Sequence, residues 1–229
     1  MNYSDYECKL IDSMGTDLSI VNAATMALHN DTKPEDGKYN VEQKFLDKDS
    51  QLLKYLVSEQ HTAPFEHCTA TFMIKCPLFI ARQIMEHRAF SFNEVDRRYT
   101  AANIEFWEPK RILLEPISGR VDGEIDGDDA DKIIETYKQF IDDAYAFYEQ
   151  MITAGVAKEQ ARAVLPQSMH TSFYMTGNLI NWIKFFKLIK AKDTQRELGS
   201  IAYSIRLKLC DLYPYSMCAW GLSGFGDYS

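Results

Sequence analysis

Residues 82–99 read Arg82-Gln83-Ile84-Met85-Glu86-His87-Arg88-Ala89-Phe90-Ser91-Phe92-Asn93-Glu94-Val95-Asp96-Arg97-Arg98-Tyr99. Four arginines, one histidine, two glutamates, one asparagine and one aspartate share this stretch with Ile84, Met85, Phe90 and Phe92. Those apolar side chains imply partial burial, and a buried guanidinium needs an anion or a paired carboxylate. Pro77 suits a first helical position. A helix from there to about His87 sets Gln83 and His87 one turn apart on one face, with Arg82 and Glu86 as a second pair. His87 and Arg88 then stand at the helix end, where the chain leaves as a loop. On residue chemistry alone the segment is either an anion site or a solvated ion-pair network.

Working outward, Cys68 to Cys76 alternates like a half-buried strand, with Phe72 and Ile74 against Thr71, Met73 and Lys75. Ala63-Pro64-Phe65 turns the chain into it. Upstream, Tyr6 to Met14 reads as a strand and Thr16 or Asp17 as the cap of a helix from about Leu18 to His29. A second helix is expected from about Asp49 to Glu59, after a loop over 30–40. Downstream, residues 103–114 are expected to supply two short strands and Pro116 to Asp131 a loop rich in Gly and Asp. That loop loosely echoes a calcium loop, but its twelfth position is Ile133 rather than Glu, so a solvated acidic cap on the next helix is preferred. The clearest helix runs from about Asp131 to Ala154, with Ile133, Tyr137, Phe140, Ile141, Ala144, Tyr148, Met151 and Ile152 as its apolar stripe and Gly155 as its stop. Glu159 to Leu165 reads as a short helix and Ser172 to Met175 as a strand. Asn178 to Ile189 and Thr194 to Leu212 read as helices. The fold class expected is α+β, one domain over residues 1–229, with mixed helices around a small antiparallel sheet.

A chain of 229 residues can build one sizeable core. The five cysteines form no CxxC pair and are odd in number, which points to a reducing, cytoplasmic setting. No signal peptide is expected, and the lysines and asparagine within Leu179 to Ile189 argue against a membrane span. A net charge of −8 gives no support to a nucleic-acid polymer as partner, yet permits small anions in a local cationic pocket. No Ser-His or Cys-His nucleophile signature and no histidine spacing for zinc is visible.

The segment from Glu86 to Tyr99 keeps the spacing Arg-His-Arg, two residues, Ser, one residue, Asn-Glu, one residue, Ser, one residue, Arg-Tyr. It resembles the signature of the flavin-dependent thymidylate synthases. Met14-Gly15-Thr16-Asp17-Leu18-Ser19, His61 with Pro64-Phe65-Glu66-His67, Pro77 to Gln83, Ala161-Arg162 with Leu165-Pro166, and Thr194-Gln195-Arg196-Glu197 extend the likeness over nearly the whole chain. The resemblance implies the fold of that family and a homotetramer with active sites between subunits. It implies FAD as cofactor, NADPH as hydride donor, and methylene transfer from methylenetetrahydrofolate to C5 of dUMP. It also implies roles residue by residue. His87, Arg88, Glu94 and Asn178 would contact flavin; Gln83, Glu94, Arg98 and Arg162 would hold the pyrimidine deoxynucleotide, the arginines as bidentate phosphate partners. His61 would stack folate or nicotinamide; its plainer reading is a loop histidine bonded to backbone, and that plainer reading is preferred for His67.

This chain departs from the signature at Glu86, where it has arginine, and at Asp96, where it has serine. Both remain expected at the substrate site. Ile180 and Lys184 stand where arginine and asparagine often lie near the flavin, and Ile189 stands where the pyrimidine-activating arginine belongs. Arg97, Lys184, Lys187, Lys190 and Lys192 are possible compensating charges; of these Lys190, with His61, Arg88 and Glu94, is expected at the catalytic centre. Two other readings stay open. One is the same chemistry on another pyrimidine nucleotide, such as dCMP, or with hydroxymethyl as product. The other is a non-catalytic flavin- or nucleotide-binding subunit.

Overall fold

The computed structural model describes residues 2–26, 45–100, 103–114, 123–189 and 194–223. In chain order the elements are β1 (Glu7–Met14), α1 (Asp17–Thr25), α2 (Asp47–Ser58), β2 (Thr69–Pro77), α3 (Leu78–Met85), β3 (Ser91–Glu94), β4 (Ile112–Leu113), β5 (Glu124–Ile125), α4 (Asp128–Thr153), α5 (Lys158–Ala161), β6 (His170–Asn178), α6 (Leu179–Ile189), α7 (Arg196–Leu212) and α8 (Pro214–Ala219). Four strands form an antiparallel sheet in the order β1-β2-β6-β3, and β4 and β5 pair separately.

The sheet has one dry face. On β2, Ala70, Phe72, Ile74 and Cys76 are buried while the residues between them are half-exposed. The register sets Phe72 against Met175 and Ile74 against Phe173, so β6 continues the same apolar surface. On the other face Thr71 and Thr176 join hydroxyls at 2.9 Å. Trp182 of α6 meets Phe72 edge-on at 5.3 Å, and the buried side of α7, from Leu198 to Leu209, completes this core. Two polar groups pin its margins. The Tyr213 hydroxyl lies 3.0 Å from both the Met14 and Thr69 carbonyls. The buried carboxylate of Asp17 accepts the Tyr215 and Ser216 amides at 2.9 and 2.8 Å, capping α8. A second cluster, Ile104, Phe106, Ile141, Tyr148, Ala161, Leu165 and Met169, lies beneath α4.

The α+β expectation holds, with local corrections. The segment Ser91–Glu94 is an edge strand rather than loop, because its amides and carbonyls find β6. The window 103–114 holds one strand, β4, and its partner β5 lies in the stretch expected to be loop. Helix α4 starts at Asp128, three residues earlier than expected, with three aspartates in its first turn, and Gly155 at φ +85° ends it as expected. Its apolar stripe is split: Ile141 and Tyr148 are buried, while Ile133 and Phe140 are exposed, as is Phe147 outside the stripe. Strand β6 is longer than its expected core, and α8 was not anticipated. The expected end of the first helix, at His29, lies outside the described residues.

Candidate active site

The short helix α3 follows β2 without a loop, so the sheet edge fixes its direction. At about 100° per residue its side chains divide between two faces. Leu78, Ala81, Arg82 and Met85 face a cavity of about 840 Å³; Gln83, Glu86 and His87 face a second of about 390 Å³. Arg82 and Glu86 therefore part company, contrary to the one-turn pairing expected of them. Glu86, the C-cap of this short helix, turns instead toward Gln83 and His87.

Beyond α3, the larger cavity is walled by β3 and the segment after it, by Arg162 with Glu159, and by Thr171 of β6. The Thr171 hydroxyl donates to Glu94 Oε1 at 2.6 Å, which fixes the carboxylate of an otherwise exposed side chain. Asp96 Oδ1 accepts the Arg98 amide at 2.8 Å, and Oδ2 accepts Arg98 Nε at 2.7 Å and Nη2 at 2.5 Å. Arg162 Nη1 stands 4.0 Å from Asp96 Oδ1. Arg98's hydrogen bonds hold the Asp96 carboxyl below the usual carboxylate range and push the guanidinium value up in turn. Arg97 turns inward, giving Nη2 to the Asn103 and His170 carbonyls at 3.3 and 3.5 Å. Its place is thus the cavity floor, fastened to backbone. Arg82, Arg97, Arg98 and Arg162 face Glu94, Asp96 and Glu159, a slight cationic excess suited to an anionic ligand of modest charge. Arg82, Glu159 and Thr171 are the members that sequence reasoning missed. The signal available for Arg82 was its phase on α3, opposite His87.

In the smaller cavity Gln83 Nε2 donates to Gln195 Oε1 at 2.8 Å, and Ile189, Thr194 and Leu198 form the far wall. The His87 ring lies edge-on to Phe185 at 4.9 Å; burial lowers its pKa, Glu86 opposing, so the imidazole is neutral at physiological pH. Arg88 is exposed beside it and has no ion-pair partner among the described residues. The loop carrying both is tied to α6, since Asn181 Nδ2 donates to the Ala89 carbonyl at 2.8 Å. Asn178 caps that helix through its Oδ1 and the Asn181 amide at 2.9 Å.

The structure gathers Glu94, Asp96, Arg97, Arg98 and Arg162 around one cavity, and Gln83, Glu86 and His87 around the other. It does not join the two groups within one chain. Glu94 sits with the arginines and not with His87. His61 lines neither cavity; it is exposed beyond α2, its amide bonded to the Leu56 carbonyl at 2.8 Å and its ring tilted 6.3 Å from Tyr55. Lys184 is exposed on α6 and also lines neither. Ile180 and Ile189 are core residues, and Lys190 and Lys192 lie outside the described residues.

A family model described as thymidylate synthase complementing protein matches residues 9–215. Among curated relatives, the flavin-dependent thymidylate synthase of Thermotoga neapolitana is 33% identical, covering 96% of this chain and 91% of its own. That of Thermus thermophilus is 32% identical over 93% and 74%. Among solved structures, a UMP/dUMP methylase, PolB from Streptomyces cacaoi bound with 5-Br dUMP, superposes with a TM-score of 0.82 at 29% identity, covering 96% of both chains. The chain belongs to the flavin-dependent thymidylate synthase family. It is an FAD-dependent methyltransferase, with NADPH and methylenetetrahydrofolate as co-substrates. Among the described residues no helix is long and apolar enough to cross a membrane.

The residues present fit that cofactor. An exposed guanidinium without a counter-ion among the described residues suits a pyrophosphate, and a hollow that sets the amides of Gln83 and Gln195 beside Leu188, Ile189 and Leu198 offers a heterocycle both hydrogen-bonding groups and an apolar side.

Proposed function

We propose that the larger cavity holds dUMP, and that this enzyme methylates C5 of its pyrimidine ring to give dTMP. The observation that carries the reading is the grouping of Arg98, Arg162 and Glu94 around one cavity of nucleotide size. Arg98 and Arg162 offer guanidinium forks for the phosphate. Glu94, held by Thr171, keeps a fixed acceptor in the same cavity. Arg88 and His87 hold FAD, which when bound supplies the hydride that completes the methyl group. His87, neutral, adds no repelling or attracting charge at the flavin.

One copy cannot place Gln83 and His87 beside Arg98, since α3 stands between them. A second copy supplying its smaller cavity to this copy's larger one completes the site, and four such copies close a homotetramer. The exposed side chains of Ile133, Phe140 and Phe147 on α4 offer apolar surface for such association. The setting proposed is the cytoplasm, where all five cysteines stay reduced.

A second substrate reading has its own support. Ile189 is 3% exposed within the core and carries no charge, so this position gives the ring no electrostatic help at N3. Cytosine needs no N3 deprotonation, which favours dCMP. Tritium release from 5-tritiated dUMP, dCMP and UMP, each with methylenetetrahydrofolate and NADPH, separates the readings. Release from dUMP above the others is expected. Release from dCMP alone overturns the substrate, and release from none moves the protein to a binding role.

A further inference from the structure

Arg98 already grips an anion, and that anion belongs to the chain itself. The Asp96 side chain folds over its own backbone and occupies the Nε–Nη2 edge of the guanidinium through one oxygen, while its other oxygen takes the Arg98 amide. That edge of a guanidinium is also one that takes two phosphate oxygens side by side. Arg162 approaches the same carboxylate from the opposite wall at 4.0 Å. The remaining charged lining of the cavity is Arg82, Arg97, Glu94 and Glu159, with Glu159 also acting on Arg98.

The ion pair is poorly placed to hold the fold together. The Arg98 side chain is 51% exposed and Arg162 43%, and exposed pairs of this kind contribute little to stability. Its two hydrogen bonds and the Nη2 ion-pair contact instead set the direction of one guanidinium at a cavity wall. The signature residue at position 96 is serine, which has no charge with which to hold an arginine fork.

We propose that Asp96 is an internal stand-in for the substrate phosphate: it holds Arg98 ready while the site is empty and yields the fork when a nucleotide arrives. The inference rests on the reading of the larger cavity as the nucleotide subsite. Binding is then an exchange of one anion for another, and the displaced carboxylate stays nearby as a like charge. Asp96 thereby lowers the affinity for phosphate-bearing ligands and leaves affinity for the uncharged nucleoside untouched. It sets specificity by narrowing the gap between nucleotide and nucleoside. The product dTMP, which carries the same phosphate, is released faster for the same reason.

The test uses FAD-loaded enzyme. Dissociation constants for dUMP, dTMP and deoxyuridine are measured by calorimetry for the wild type, Asp96→Asn, Asp96→Ser and Arg162→Ala. Both Asp96 variants are expected to bind dUMP and dTMP about tenfold more tightly, with deoxyuridine unchanged. The KM for dUMP falls in step, and kcat falls if dTMP release limits turnover. Unchanged or weaker dUMP binding in both variants, with wild-type binding intact, overturns the stand-in role. Equal weakening for dUMP and deoxyuridine makes Asp96 a sugar or structural contact instead. Loss of folding in both, seen as a collapsed thermal transition, makes it a brace and equally overturns the proposal. If wild-type enzyme binds no dUMP and Arg162→Ala changes nothing, the nucleotide reading of the cavity fails first.

Discussion

Asn181 in the first turn of α6 donates its side-chain amide to the Ala89 carbonyl at 2.8 Å, so a core helix holds the loop that presents Arg88. One such hydrogen bond is worth about 1 kcal/mol. Asn181→Ala is therefore expected to weaken FAD binding by up to about tenfold, with the far-ultraviolet circular dichroism unchanged. An FAD titration followed by flavin fluorescence checks it; unaltered affinity would free the loop from α6.

Asn178 has a structural duty that competes with its expected flavin contact, because its Oδ1 caps α6. Asn178→Ala should lower stability by about 1 kcal/mol through the lost cap. Asn178→Asp keeps a capping oxygen and adds a negative charge. Wild-type stability together with impaired FAD retention in that variant supports the flavin contact; normal retention leaves the cap as its whole role.

For Arg88 the discriminating change is to lysine. A point charge cannot reproduce a planar fork, so Arg88→Lys should bind FAD at least about tenfold less tightly, close to Arg88→Ala. Wild-type affinity in Arg88→Lys would mean that charge alone suffices there.

Gly177 sits on β6 under the ring of Phe90, and a Cβ there falls inside van der Waals contact with that ring. Gly177→Ala must push Phe90, and with it the loop from Arg88 to Ser91, away from the sheet. A loss of about 1–3 kcal/mol is expected, with weakened FAD binding. Chemical denaturation and FAD titration of the same preparation test both. A variant that loses stability but keeps FAD affinity separates the loop from the sheet.

His170 predicts an acid limit. Burial is the main cause that lowers its pKa from 6.5 to about 4, with Lys75 assisting and Glu105, Asp5 and Glu7 opposing. Its Nε2 is buried without a hydrogen-bond partner among the described residues. A group whose folded value lies below its unfolded one binds protons more readily when unfolded. Its contribution is therefore intact above pH 6.5 and is lost as pH falls toward 4. The loss is on the order of 3 kcal/mol by the lower limit. His170→Gln should be less stable near neutrality yet show a flatter decline over that interval in thermal melts. Parallel declines for the two proteins would assign the acid limit to carboxylates instead.

The fold was legible where periodicity was strong. Phe72 and Ile74 alternate plainly, and α7 carries its stripe over seventeen residues, so β2 and α7 were read within a few positions. β3 was hidden because an edge strand of four residues, three of them exposed, has no alternation to show. Its pairing depends on β6, which lies far along the chain. α8 was missed although Pro214 at its first turn was a usable signal. In the site, Arg98, Arg162 and Glu94 were indicated by the family resemblance, while residue chemistry alone left their segment open between an anion site and an ion-pair network. What both concealed was direction. Arg82 and Gln83 are adjacent in sequence and face different cavities, and nothing local reports that Asp96 turns back onto Arg98.

Thr71 and Thr176, which meet across the centre of the sheet, are 105 residues apart in sequence. β3 pairs with β6 alone, from Ser91 opposite Thr176 to Glu94 opposite Phe173, so Glu94 and its neighbours too have no sheet to join until a distant strand arrives. Contacts of such long range form slowly, because a large loop must be ordered before any of its pairing is gained. The helices can form early from local sequence, whereas the wall that carries Glu94 and Asp96 is among the last parts of the chain to take shape. A newly made chain therefore acquires helical content before it acquires a place for a nucleotide, and during refolding the recovery of ligand binding should trail the recovery of helix.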